Sequence, residues 1–159
     1  MRVSASQTKA VVILLGTAQT LSWASTYYLP AVLATPMASD LGLSPVWIFA
    51  AFSGALIIAA LVGPWAGARI DRLGGRELLI ASNLIFALGL GTLAIMQGPI
   101  LLCVGWLLMG IGMGIGLYEA AFATLAGLYG EKARSPITGV TLIAGFASTV
   151  GWPLSAWMG

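Results

Sequence analysis

The chain has no histidine, one cysteine and only twelve charged side chains among its 159 residues, and each shortage removes a class of function. With no histidine, and with Cys103 alone inside an apolar run, neither a His or Cys metal site nor an internal disulfide can be assembled. A membrane-embedded enzyme needs a nucleophile, a base and metal ligands that converge, so the same inventory predicts no enzymatic chemistry and no cofactor. A soluble globule carries charge on roughly a quarter of its residues. Here 8% are charged and 59% are hydrophobic, a balance that predicts an integral membrane protein with the lipid bilayer as its solvent. The pI near 9.0 does not describe a nucleic-acid surface, because the seven basic residues are interspersed with apolar runs and never gather on one face.

What the chain does have is length in its apolar runs. A helix rising 1.5 Å per residue needs about 20 apolar residues to cross roughly 30 Å of hydrocarbon. Five segments reach that length: residues 10–33, 46–65, 78–96, 100–125 and 137–157. The first is far longer than the hydrophobic region of a secretory signal, roughly 7 to 15 residues, and reads as an uncleaved span. A closed β-barrel would show alternating strands of about ten residues, which continuous runs of this length exclude. The expected fold is an all-α membrane protein of five transmembrane helices. Ser44-Pro45 and Ser135-Pro136 predict helix starts, with serine as cap and proline at the first position. The short Gln97-Gly98-Pro99 connection makes the third and fourth spans antiparallel neighbours. In the fourth span Gly112 and Gly116 form a GxxxG pair. Ala144 and Ser148 repeat small-residue spacing in the fifth, which predicts close helix contacts.

Charge is concentrated where the spans are not. The segment Gly67–Glu77 holds five of the twelve charged residues. All seven basic residues fall on one side: Arg2 and Lys9 before the first span, Arg69, Arg72 and Arg76 between the second and third, Lys132 and Arg134 between the fourth and fifth. The opposite connections carry only Asp40, so the positive-inside rule places the N-terminus and the arginine loop in the cytoplasm. At membrane depth the polar groups are few. Gln19, Ser22, Trp23, Thr26 and Tyr27 recur at helical spacing and give the first span one polar, aromatic face. Glu119 is the ionisable residue well inside a span, able to hold a cation, a proton or a basic solute group; counted from Ile100 it lies past the midpoint toward the cytoplasm, and the alternative is that it reaches water or pairs with a basic loop residue. Asn83 reads as a packing contact in the third span.

Gly67-xxx-Asp71-Arg72-x-Gly74-Gly75-Arg76, lying between the second and third spans, resembles the GxxxDRxGRR signature of the major facilitator superfamily. Asp40-Leu41-Gly42-Leu43-Ser44-Pro45 looks like that family's first outer loop. Arg134 falls where members carry a basic residue before the fifth span, Gly110-Ile111-Gly112-Met113-Gly114 is similar to the glycine-rich fourth helix, and Pro153 resembles the proline of the fifth-helix antiporter motif. The resemblance implies a secondary transporter of the bacterial inner membrane that moves a small-molecule substrate by rocking two six-helix halves about a central site. It further implies a substrate cavity between the first and fourth helices, with Gln19, Trp23, Tyr27, Tyr118 and Glu119 as its residues, and a conformational latch at Gly67, Asp71, Arg72, Gly74 and Arg76. Five spans form less than one six-helix repeat. The expectation is therefore an incomplete N-terminal half, residues 1–159, whose partner is a missing C-terminal half or a complementary membrane subunit. The alternative is a small accessory or scaffold subunit that binds a partner transporter.

Four positions depart from the family's pattern. Gly75 stands in place of the first of the paired basic residues. Trp106 and Met109 stand where proton-coupled drug antiporters carry a buried Arg and often a Gln, and Trp152 follows Gly151 where the antiporter motif has its glycine. Together these point away from proton-driven drug export.

Overall fold

Every regular element among the described residues is helical. The structure, a computed structural model, describes the backbone of residues 5–158 and the side chains of residues 5–146 and 149. Arg2 and the side chains of Ser148, Gly151, Trp152, Pro153 and Trp157 lie outside the described residues. The elements are α1 (Ala5–Ser25), α2 (Leu29–Asp40), α3 (Pro45–Leu73), α4 (Arg76–Ala94), α5 (Pro99–Gly116), α6 (Tyr118–Tyr129) and α7 (Arg134–Met158), with a 3-10 turn at Gly130–Lys132. Three stretches among the described residues, 45–73, 76–94 and 99–132, are each long and apolar enough to cross a membrane.

The first expected span is two helices. At residues 26–28 the chain turns, with the Thr26 and Tyr28 amides both directed to the Trp23 carbonyl at 3.4 and 3.3 Å. Pro30 supplies the reason, because a proline inside a continuous helix has no N–H to donate and its ring would strike the carbonyl four residues back, that of Thr26. Placed in the first turn of a new helix, the same residue is suited to its position. The fourth expected span is also divided. Leu117 is extended (φ −81°, ψ −164°) between α5 and α6, immediately after a run with glycine at 110, 112, 114 and 116. Each glycine weakens a helix by about 1 kcal/mol relative to alanine, so the run lowers the cost of interrupting it here.

Helix ends also differ from the expected boundaries. The helix of the second span extends to Leu73, beyond the apolar run, and ends at Gly74, whose φ of 80° and ψ of 161° belong to a region open essentially to glycine alone. Ser44 caps α3 as expected, accepting the Val46 amide at 3.4 Å with Pro45 behind it. Ser135 does not cap α7. The preceding 3-10 turn carries the chain into the helix one residue earlier, Ala133 donating to Gly130 and accepting from Ile137, each at 3.0 Å.

Glycine sets the packing of α5, which lies between α3 and α4. Gly112 and Gly116 face α4, where a Cβ at 112 would meet the Phe86 ring at 2.7 Å and one at 116 would overlap Ser82. Gly110 and Gly114 form a second pair against α3: added Cβ atoms would lie 2.5 Å from the Ala55 carbonyl oxygen and 2.8 Å from that of Ala59. The expected pair is thus one of two, on two faces of one helix. α1 packs mainly on α7, where Gly16 meets Ile143 and Gly139 meets Val12. Ala144 is buried, and Asn83 is exposed and donates to Leu79 of its own helix, so it is no interhelical contact.

Candidate functional site

The two interrupted helices meet at their breaks. Gln19 of α1 is buried and its Nε2 donates to the Gly116 carbonyl, the last of α5, at 2.7 Å. Because a carbonyl only accepts, this bond fixes the amide's orientation and leaves Oε1 as the free acceptor. Gln19 Oε1 and Trp23 Nε1, one helical turn apart on α1, are both buried without a partner. Ser22 and Thr26 share this buried side, and the Thr26 hydroxyl returns to the Ser22 carbonyl at 2.7 Å.

From Trp23 an aromatic chain crosses the bundle. Trp23 stacks on Tyr27 with centroids 4.5 Å apart and meets Tyr118 at 4.9 Å. Tyr118 stacks on Phe122 at 5.1 Å, and Tyr27 meets the edge of Phe52 at 5.6 Å. Such pairs contribute about 0.5–1.5 kcal/mol each beyond the area they bury. Phe52 in turn meets Trp106, which is 1% exposed. The Trp106 and Met109 positions are therefore core, and they present no side chain to an open cavity.

A cavity of about 330 Å³ opens beside this aromatic chain. Its wall takes Tyr27 from the first break, Leu56 and Gly63 from α3, Met113 from α5, Leu117 at the second break and Glu119 from the first turn of α6. Glu119 is exposed, and its place in the first turn sets a carboxylate at the positive end of the α6 dipole. Of the five expected cavity residues, Tyr27 and Glu119 line this space. Trp23 and Tyr118 stand behind them in the aromatic chain, and Gln19 ties the breaks together from the buried side. The aliphatic wall, Leu56 and Met113 among it, carried no signal in the sequence beyond ordinary hydropathy. Phe52 and the break at 26–28 did have one: an aromatic on the second span, and Pro30.

The expected latch residues occupy the far end of the bundle. A second cavity, about 440 Å³, lies between the α3–α4 turn and α6; Asp71, Gly74, Gly75 and Arg76 face Thr124 and Leu128 across it. Asp71, Arg72 and Arg76 are exposed. Gly67 is half-buried with nothing within 4 Å of where its Cβ would stand, whereas Gly75 is buried and a Cβ there would overlap Thr124 Oγ1. In the sequence Gly75 is marked only by the absence of a cation. Its closest neighbour, Thr124, was not expected to matter.

The family model of the major facilitator superfamily matches residues 15–159, which is nearly all of the chain. The chain belongs to the major facilitator superfamily. A protein described as "Multidrug resistance protein B homolog" from Mycobacterium tuberculosis, matched in two strains, is 31% identical over 121 residues, covering 76% of this chain and 22% of the relative. The match thus spans less than a quarter of that relative's own length, and no solved structure gives a significant match. Family membership and the apolar helices make this facilitator chain an integral membrane protein.

Proposed function

We propose that this chain is the front part of a secondary transporter that moves a small solute across the membrane by alternating access, with the Tyr27–Glu119 cavity as its share of the solute path. The observation that carries the reading is the meeting of two helix breaks at one cavity, since secondary-transporter sites at membrane depth are typically built from interrupted helices at the interface between repeats. An exposed carboxylate facing this space is costly in a bilayer and is a functional feature by default. With aromatic and aliphatic walls around it, the cavity suits an apolar solute carrying a basic or hydrogen-bond-donating group. The relative's name speaks of multidrug resistance, which brings drug-like solutes into range. Trp106, buried where drug antiporters hold a charge, supplies none for proton coupling. The clustering of the basic residues supports a cytoplasmic N-terminus and arginine loop in a bacterial inner membrane, with the loop as conformational latch and a C-terminal half or second subunit completing the path.

Transport measured in membrane vesicles, from the complete coding sequence, tests the cavity. Glu119→Gln is expected to accumulate normally and lose about tenfold in solute affinity, the equivalent of one charge-assisted hydrogen bond. Unchanged affinity and rate would remove Glu119 from the solute path.

A further inference from the structure

α6 connects the two cavities. At one end Glu119 lines the solute cavity with Tyr118 behind it, and about 7.5 Å along the axis from Glu119, Thr124 lines the loop cavity, five residues at 1.5 Å each. The extended Leu117 separates α6 from α5, and no side chain caps the α6 N-terminus. The helix is therefore a short rod of its own, joined to α5 by one non-helical residue.

The contact at the loop end is tight and stiff. A Cβ at position 75 would overlap Thr124 Oγ1 and lie 2.8 Å from the Thr124 Cβ. Thr124 cannot swing aside freely, because it is 8% exposed and its hydroxyl donates to the Ala120 carbonyl at 2.7 Å. A push from the loop is thus delivered to the α6 backbone at Ala120, one residue from Glu119. Ala120 also packs with Ala66, Ile70, Leu78 and Ile115 in a core cluster shared by α3, α4 and α5, so the rod is seated on the helices that carry the loop. The departure at Gly75 has a physical counterpart here, since with Thr124 in place the loop approaches α6 as closely as a bare backbone allows.

We propose that Gly75 and Thr124 are positioning residues for the solute cavity: their contact sets the height of α6 and, through it, the placement of Glu119 and Tyr118. The inference rests on the reading of that cavity as the solute path. It gives the arginine loop a route to the cavity through α6, in addition to any latch contact across the bundle.

The test is the rate at which single thiols react with the membrane-impermeant probe 2-(trimethylammonium)ethyl methanethiosulfonate, in membranes holding the full-length protein with Cys103 and every other native cysteine replaced by serine. Reporters are Glu119→Cys on α6 and Ala60→Cys on α3, which lines the same cavity. Gly75→Ala is expected to change the rate at 119 about fivefold or more, the lower range of ordinary site coupling, and to leave the rate at 60 unchanged. Adding Thr124→Gly, which removes the overlapping side chain, should restore it. If Gly75→Ala does not reach the membrane, Thr124→Ala opens the same contact and should shift 119 alone by a similar factor. Equal shifts at 119 and 60 mean a global change of state and overturn the inference, as does no shift at 119. A thiol at 119 that never reacts in any background, while Ala60→Cys does, removes Glu119 from the solute path, a different failure.

Discussion

The helices α3, α4 and α5 and the two interrupted spans use small and polar residues to opposite ends. In the triple contact, glycine is subtracted volume: Gly105, Gly110, Gly112, Gly114 and Gly116 let neighbouring backbones and side chains close to contact distance, and nothing there faces an opening except at the cavity rim. Along α1–α2 and α5–α6, by contrast, the chain gives up helical continuity at residues 26–28 and at Leu117, and the unusual side chains collect at those points. The closely packed helices α3, α4 and α5, up to the break at Leu117, are a frame. The two breaks and α6 carry Tyr27, Glu119 and the rings of Trp23 and Tyr118 behind them. Apolar packing in a bilayer has no hydrophobic force between helices to draw on, so close approach is what holds the frame.

This contrast predicts a split between stability and solute handling. The largest effect should come from the frame: Gly110→Leu, whose Cβ would begin 2.5 Å from the Ala55 oxygen, is expected to lose about 3 kcal/mol by overpacking and to be read as failure to give a monodisperse, folded protein in detergent. Tyr27→Leu should be milder on the fold, costing about 1–2 kcal/mol through its two ring contacts while the protein still folds, and should weaken solute binding up to tenfold through loss of an aromatic wall. Gln19 bridges the two regions. Gln19→Leu removes the bond to Gly116 and should lower the free energy of unfolding by about 1 kcal/mol in a denaturation series, since hydrogen bonds between membrane helices contribute roughly that or less. The smallest effect is Asn83→Ala, where an exposed amide bonded to its own helix is lost and the change should stay within about 0.5 kcal/mol. A Gly110→Leu protein that folds, or a Tyr27→Leu protein that does not, would dissolve the distinction between frame and cavity.

The frame was readable because hydropathy and chain length answer to the bilayer directly. Lengths of the apolar runs and the Ser44-Pro45 start, together with the short connection before Pro99, all describe local physics that the structure repeats. The breaks were not read. Hydropathy sums side chains and is blind to a backbone that changes direction under an unbroken apolar run, as at Gly116-Leu117-Tyr118. Pro30 was the one local mark of the first break, and a single proline is tolerated within membrane helices often enough to pass as ordinary. Tyr27 and Glu119 were legible because each is an anomaly at membrane depth; Leu56 and Met113, which complete the same wall, are chemically indistinguishable from lipid-facing residues. The Gly75–Thr124 contact joins residues 49 positions apart in the sequence, and no single-sequence pattern reports such a pair.

The break at Leu117 also makes this membrane span legible by isotope. Backbone amides inside a bilayer helix are held against exchange by their intrahelical bonds and by the absence of water, so a continuous span is silent in deuterium. The first amides of α6, at Tyr118, Glu119 and Ala120, have neither a preceding helical turn nor a side-chain cap, and they open beside a cavity. They form a built-in, label-free gauge of how wet that cavity is. Any compound that dries it should slow deuterium uptake in the peptide spanning 117–121 before its transport is ever measured.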